Sequence, residues 1–196
     1  MSDRNIYILL TDTGTLLSKM IKMYTKAPLN HVSVAFDADL KEIYSFGRRH
    51  SVNPFVGGFV KEQVHGSLIR ADRRPTLCAL YRCSVTSDRY EQIRRRVQQM
   101  EESQEQYKYN LLGLFGIPFN LHIERENAYF CSQFVAALFQ ESGMKLVNKS
   151  AALVTPDDFR KSESLQLVFK GDLRNKINHQ VGSARSPFQH RWYRSA

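Results

Sequence analysis

Apolar positions along this chain fall on two periods, and each period marks its own kind of element. Ile6 to Thr11 is a run of aliphatic and β-branched residues that reads as a buried strand. Thr13-Gly14-Thr15 starts a helix, with Thr13 or Thr15 as N-cap, and Leu16, Leu17, Met20, Ile21 and Tyr24 form its inner face. Ala27-Pro28-Leu29-Asn30 ends it. His31 to Phe36 then alternates with period two: Val32, Val34 and Phe36 share one face, and His31, Ser33 and Ala35 share the other. Asp37 to Lys41 is a turn, and Glu42 to Gly47 is the returning strand of a hairpin.

Arg48 to Arg74 carries little period, and Asn53 to Phe59, with its Pro and Gly, reads as a loop or structural connection bordering a cleft. Thr76 to Val85 reads as a strand. Ser87 or Asp88 caps a long polar helix reaching to about Gln106, with Tyr90, Ile93, Val97 and Met100 inside. Tyr107 to Pro118 is apolar, broken by Gly and Pro, and packs beside the next helix. That helix begins at Cys131 and buries Phe134, Val135, Leu138 and Phe139, with Gly143 as its stop. Thr155-Pro156-Asp157-Asp158 starts a short helix, and Leu165 to Phe169 is a last strand. Residues 1–169 therefore read as one domain and 170–196 as a basic extension without clear periodicity.

The 196 residues suffice for one sizeable core, and 42% hydrophobic with 24% charged residues is the balance of an ordinary globular chain. No apolar run approaches the ~20 residues of a transmembrane segment, and Ile6 to Leu10 is too short for a signal-peptide core. A cytoplasmic protein is the expectation. The net charge of +9 is concentrated towards the C-terminus, so contact with an anionic surface belongs to the tail. Arg94-Arg95-Arg96 is a solvated helix face because Glu101, Glu102 and Glu105 follow it, and no specific nucleic-acid motif is present. Cys78, Cys83 and Cys131 fit neither a disulfide framework nor a zinc pattern; no metal or other cofactor is expected.

Cys131 stands in the first turn of its helix, where unpaired backbone N–H groups and the helix dipole favour a thiolate. A helix terminus contributes roughly 0.3–1 kcal/mol, and one pKa unit is about 1.4 kcal/mol. Burial opposes the dipole. A thiolate useful at neutral pH therefore needs a positive partner, normally histidine. Without one, Cys131 is a small apolar filler. Of the six histidines, His179 and His190 lie in the tail, and His50, His65 and His122 lie in or beside loops. Only His31 opens a strand, on a face of small residues.

The His31 strand, the return at Tyr44-Ser45-Phe46-Gly47, then Tyr109-Asn110-Leu111-Leu112-Gly113 and Phe130-Cys131-Ser132-Gln133-Phe134-Val135 resemble the circularly permuted NlpC/P60 superfamily of papain-like thiol enzymes, which includes YiiX-like proteins. The resemblance covers roughly Asn5 to Phe169. In the permuted members the histidine strand precedes the cysteine helix, as here, 100 positions apart. It implies an α+β, circularly permuted papain-like fold with an antiparallel sheet packed against the cysteine-bearing helix. It also implies Cys131 as nucleophile and His31 as base or imidazolium partner. Members carry a third polar residue on the following strand, often His or Glu. The matching region offers Ser45, an uncharged and weak orienter, with Glu42 and Tyr44 as neighbours. Tyr129 is a further pocket candidate, although a packing aromatic is the simpler reading.

Three functions compete. A cysteine hydrolase would cleave an amide, peptide or ester through an acyl-thioester, with acyl transfer as a variant, on a small-molecule, peptide or acyl substrate. A catalytically weak binding module would keep the cleft, and the weakness of Ser45 fits it. A binder of nucleic acid or anionic membrane would use the tail, but it lacks a recognition motif or amphipathic anchor.

Overall fold

The computed structural model describes residues 3–14, 27–49, 57–69 and 74–184. The chain is α+β. Eight strands occur among these residues, in chain order β1 (Asp3–Thr11), β2 (His31–Ala35), β3 (Ile43–Arg48), β4 (Gly57–Glu62), β5 (Leu77–Thr86), β6 (Lys108–Tyr109), β7 (Ala128–Tyr129) and β8 (Gln166–Asp172). Six form one sheet in the order β4-β3-β2-β1-β5-β8, with every pair antiparallel, and β6 and β7 pair separately in parallel. The helices are α1 (Ser87–Glu102), α2 (Leu111–Gly116), α3 (Cys131–Glu141), α4 (Pro156–Arg160) and α5 (Leu173–Ala184).

Strand β1 lies near the sheet centre because it is apolar on both faces. Ile6, Ile8 and Leu10 join the larger core under α1 and α3, whereas Leu9 joins a second core on the opposite face. The period-two alternation of β2 divides in the same way, with Val32 and Val34 in the first core and Ala35 in the second. Tyr90, Ile93, Val97 and Met100 are the buried stripe of α1, as the spacing predicts. Its cap is Thr86, one residue before the expected position: the Thr86 backbone is extended and its hydroxyl accepts from the Arg89 N–H at 3.4 Å. The helix ends at Glu102, and Gln104–Gln106 forms a separate 3-10 turn. Helix α3 starts at Cys131, and Gly143 beyond its end takes φ +75, the left-handed conformation of a helix stop. Asp158 Oδ2 accepts from both the N–H and the hydroxyl of Thr155 at 2.8 Å, closing the start of α4.

Two expectations change. The stretch read as irregular contains a strand, β4, that completes the sheet edge; residues 50–56 and the expected helix over 16–26 lie outside the described residues. The sheet also does not stop at Phe169. Strand β8 continues to Asp172 with Ala79↔Lys170, Cys78↔Gly171 and Leu77↔Asp172 in register, and α5 follows. The boundary at 169/170 thus falls inside a strand, because Leu173 is fully buried in the second core and anchors the start of α5. Truncation after Phe169 is expected to lower the thermal unfolding midpoint, since deletion of a buried Leu side chain alone costs about 2–5 kcal/mol. An unchanged midpoint would mean that Leu173 contributes nothing to the fold. Among the described residues, no helix is long and apolar enough to cross a membrane.

Candidate active site

The site lies where β2 begins and α3 begins. The ladder between β2 and β3 covers only Val34↔Tyr44 and Ala35↔Ile43, whereas β2 starts at His31 and β3 runs to Arg48. The residues before Val34 and after Tyr44 thus lie beyond that ladder. Ser33 and Ser45 are small and fully buried. They leave space for a longer side chain from β4, and Glu62 fills it.

Glu62 Oε1 accepts from His31 Nε2 at 2.8 Å and from the Ser45 hydroxyl at 2.8 Å; Glu62 Oε2 accepts from the Ser33 hydroxyl at 2.6 Å. The Ser33 oxygen also lies 3.4 Å from His31 Nε2. The His31 and Glu62 side chains are only 12% and 5% exposed, so this is a buried ion pair with its carboxylate hydrogen bonds supplied by two serines. The Cys131 thiol also acts on the imidazole and raises its pKa.

Charge follows from this geometry. Burial pulls the His31 imidazole down, but the Glu62 carboxylate and the hydrogen bonds to Cys131 and Glu62 outweigh it and push the group up to about 10. Burial pushes Glu62 up, yet the His31 charge and the hydrogen bonds from His31, Ser33 and Ser45 win, so its carboxyl lies below the usual value. At neutral pH the pair is imidazolium and carboxylate.

Helix α3 is held firmly around its thiol. Gln133 Oε1 accepts from the Phe130 N–H at 3.4 Å and from Asn110 Nδ2 at 3.2 Å, and the Ser132 hydroxyl donates to the Val154 carbonyl at 2.6 Å. Asn110 also donates to the Ile123 carbonyl at 2.9 Å, and its Oδ1 accepts from the Gly113 N–H at 3.0 Å. The residue at the N-cap is Phe130, which has no side-chain acceptor, so no side chain competes there for the first-turn N–H groups. Replacing Asn110 with Ala removes three hydrogen bonds at a buried position and is expected to cost about 1–3 kcal/mol, measured by chemical denaturation; a neutral substitution would show that the α2 anchor is dispensable.

Ser45 is corrected as the orienting residue. Its hydroxyl supports Glu62, and Glu62 orients the ring. Tyr44 and Glu42 do not join the imidazole: the Tyr44 hydroxyl donates to Glu42 Oε1 at 3.0 Å and to Glu101 Oε2 at 2.8 Å, and Arg94 pairs with Glu42 at 3.0 Å. Those contacts tie β3 to α1 on the other side of the sheet, because Tyr44 and Ser45 alternate. Tyr129 packs edge-on against Phe46 with ring centroids 5.2 Å apart. It also lines a small surface cavity of about 10 Å³ with Arg96, Met100 and Phe134, among others, and neither Cys131 nor His31 is part of that wall. The polar walls of this cavity, Arg96 and Glu141, are already paired with each other at 3.0 Å.

The other two thiols differ. Burial pushes Cys78 up to about 12, with the Asp172 charge adding to it, and Cys83 up to about 11. Among the described residues no group of His, Cys, Asp and Glu is arranged to hold a metal ion. No family model and no curated protein matches the sequence.

Proposed function

We propose that this chain is a thiol hydrolase of the circularly permuted papain-like, NlpC/P60 type, cleaving an amide, peptide or ester bond through an acyl-thioester on Cys131. The observation that carries the reading is the buried His31–Glu62 pair, whose imidazole also feels the Cys131 thiol at the start of α3. A helix-first cysteine beside a histidine, with the histidine oriented by a buried third group, is the arrangement of an activated nucleophile. The order of elements, with the histidine strand before the cysteine helix and an antiparallel sheet between, supports the permuted architecture.

Glu62 keeps the His31 ring protonated at neutral pH, so His31 is placed as the proton donor to the leaving group. Cys131 Sγ attacks the substrate carbonyl carbon. The oxyanion that forms is met by the Cys131 backbone N–H and the positive end of α3. His31 then gives its proton to the leaving amine or alcohol, leaving the acyl-thioester. Water completes hydrolysis; an amine or alcohol in its place gives acyl transfer. The binding-module alternative drew on the weakness of Ser45 as an orienter, and a buried carboxylate in that role removes this support.

The test is labelling of the intact chain with an acyl electrophile, followed by mass mapping. The expected adduct sits on Cys131 and disappears in His31→Ala. An adduct spread over Cys78 and Cys83, or one indifferent to His31, would end the hydrolase reading.

A further inference from the structure

The two residues that flank His31, one across the ladder and one before it in sequence, each hold a buried polar atom without a partner. Thr11 faces His31 directly in the β1–β2 register, so both side chains project from the same face of the sheet. Thr11 is 0% exposed, and its Oγ1 has no hydrogen-bond partner within the chain. Asn30 is 1% exposed; its Nδ2 donates to Asp12 Oδ1 at 3.1 Å, which fixes the amide orientation and leaves its Oδ1 unpartnered. The Asn30 N–H donates to the Thr11 carbonyl at 3.1 Å, so both orphan atoms belong to strand ends joined beside the imidazole. Buried hydroxyls are nearly always satisfied, and ordered water is the usual partner where the protein supplies none. A valine would fill the same volume in a strand without leaving a polar atom unmet.

We infer that Thr11 is a positioning residue that holds the water which hydrolyses the Cys131 acyl-thioester. This rests on the thiol-hydrolase reading. After acylation His31 has passed its proton to the leaving group and is neutral. The water oxygen bonds to the acyl carbon and one of its protons moves to the imidazole. The tetrahedral oxyanion then collapses, the C–S bond breaks, and its electron pair returns to Sγ. The product leaves as a carboxylic acid, and Sγ and the protonated ring are regenerated. The Thr11 hydroxyl keeps the water on the His31 side of the sheet, and so favours hydrolysis over transfer to another nucleophile.

The experiment uses p-nitrophenyl acetate with the full chain, Thr11→Val and Thr11→Ser. The burst of p-nitrophenol reports acylation, the steady state reports deacylation, and intact mass reports acetyl-Cys131. Thr11→Val is expected to lower steady-state turnover about tenfold more than it lowers the burst, the effect of losing one hydrogen bond to the attacking water. Acetyl-Cys131 accumulates, and Thr11→Ser restores turnover. The thermal midpoint of Thr11→Val does not rise, because the hydroxyl has a water partner. Equal loss of burst and steady state, failure of serine to restore turnover, or a raised midpoint would each overturn the inference while leaving the nucleophile intact. Absence of any acetyl-Cys131 in the parent chain would instead overturn the hydrolase reading, and this inference with it.

Discussion

Glu62→Gln is expected to have the largest effect of any single substitution at the site. The carboxylate accepts from His31, Ser33 and Ser45, and an amide of the same shape cannot accept all of them while its own N–H₂ points into the cluster. Removing one member of a buried ion pair costs about 3–5 kcal/mol. The cost depends on pH in a defined way. His31 is raised from 6.5 to about 10, so its contribution is complete below about 6.5 and fades as pH rises towards 10. Glu62 is lowered from 4.5, so its contribution is complete above about 4.5 and fades as pH falls below that. These are two views of one pair. The stability gap between the parent chain and Glu62→Gln should therefore be widest between about 4.5 and 6.5, with shrinkage on either side.

The same substitution changes the chemistry. With the carboxylate gone, burial is the largest influence on His31, and the ring no longer stays protonated through neutral pH. Turnover of an ester or amide probe should drop about 10²–10⁴-fold, with its alkaline limb moved to lower pH. Urea unfolding across a pH series and pH–rate profiles check both. A Glu62→Gln chain with the parent profile would remove Glu62 from the mechanism.

Iodoacetamide at neutral pH is expected to mark Cys131 and spare Cys78 and Cys83. Exposure does not distinguish the three thiols, which are 2%, 2% and 0% exposed respectively. Their surroundings do. Burial holds Cys78 at about 12 and Cys83 at about 11, which leaves thiolate fractions on the order of 10⁻⁵ and 10⁻⁴ at pH 7. Cys131 instead has the His31 imidazolium and the start of α3 beside it. His31→Ala should slow its alkylation about 10²–10⁴-fold, and Cys131→Ser should abolish it. Equal labelling of all three thiols, followed by peptide mapping, would show that the pair with His31 does nothing for reactivity.

The period-two run from His31 and the helical stripe from Cys131 were legible because each element's own residues decide it. A face of small residues beside His31 also signalled room next to the ring. Glu62 was not legible for two reasons. Gly57 and Gly58 weaken any strand pattern before Phe59, and β4 exists through its ladder to β3 rather than through its own propensity. The segment after Lys170 differs from its sequence reading for a related reason: Leu173 is followed by Ile177 and Val181 among polar and charged residues, and docking into the second core shows the role of Leu173.

By itself, then, the sequence determined which residues could do chemistry: a thiol at a helix start, and an imidazole at the head of a strand. These follow from local periodicity, which is carried within a few residues. The tertiary structure alone decided which side chains meet. It brought Glu62 from a third strand to His31, turned Ser45 from orienter into support, and sent Tyr44 and Glu42 to the opposite side of the sheet. Such choices depend on strand order and on where a ladder ends, and those are set by long-range packing that no short stretch encodes.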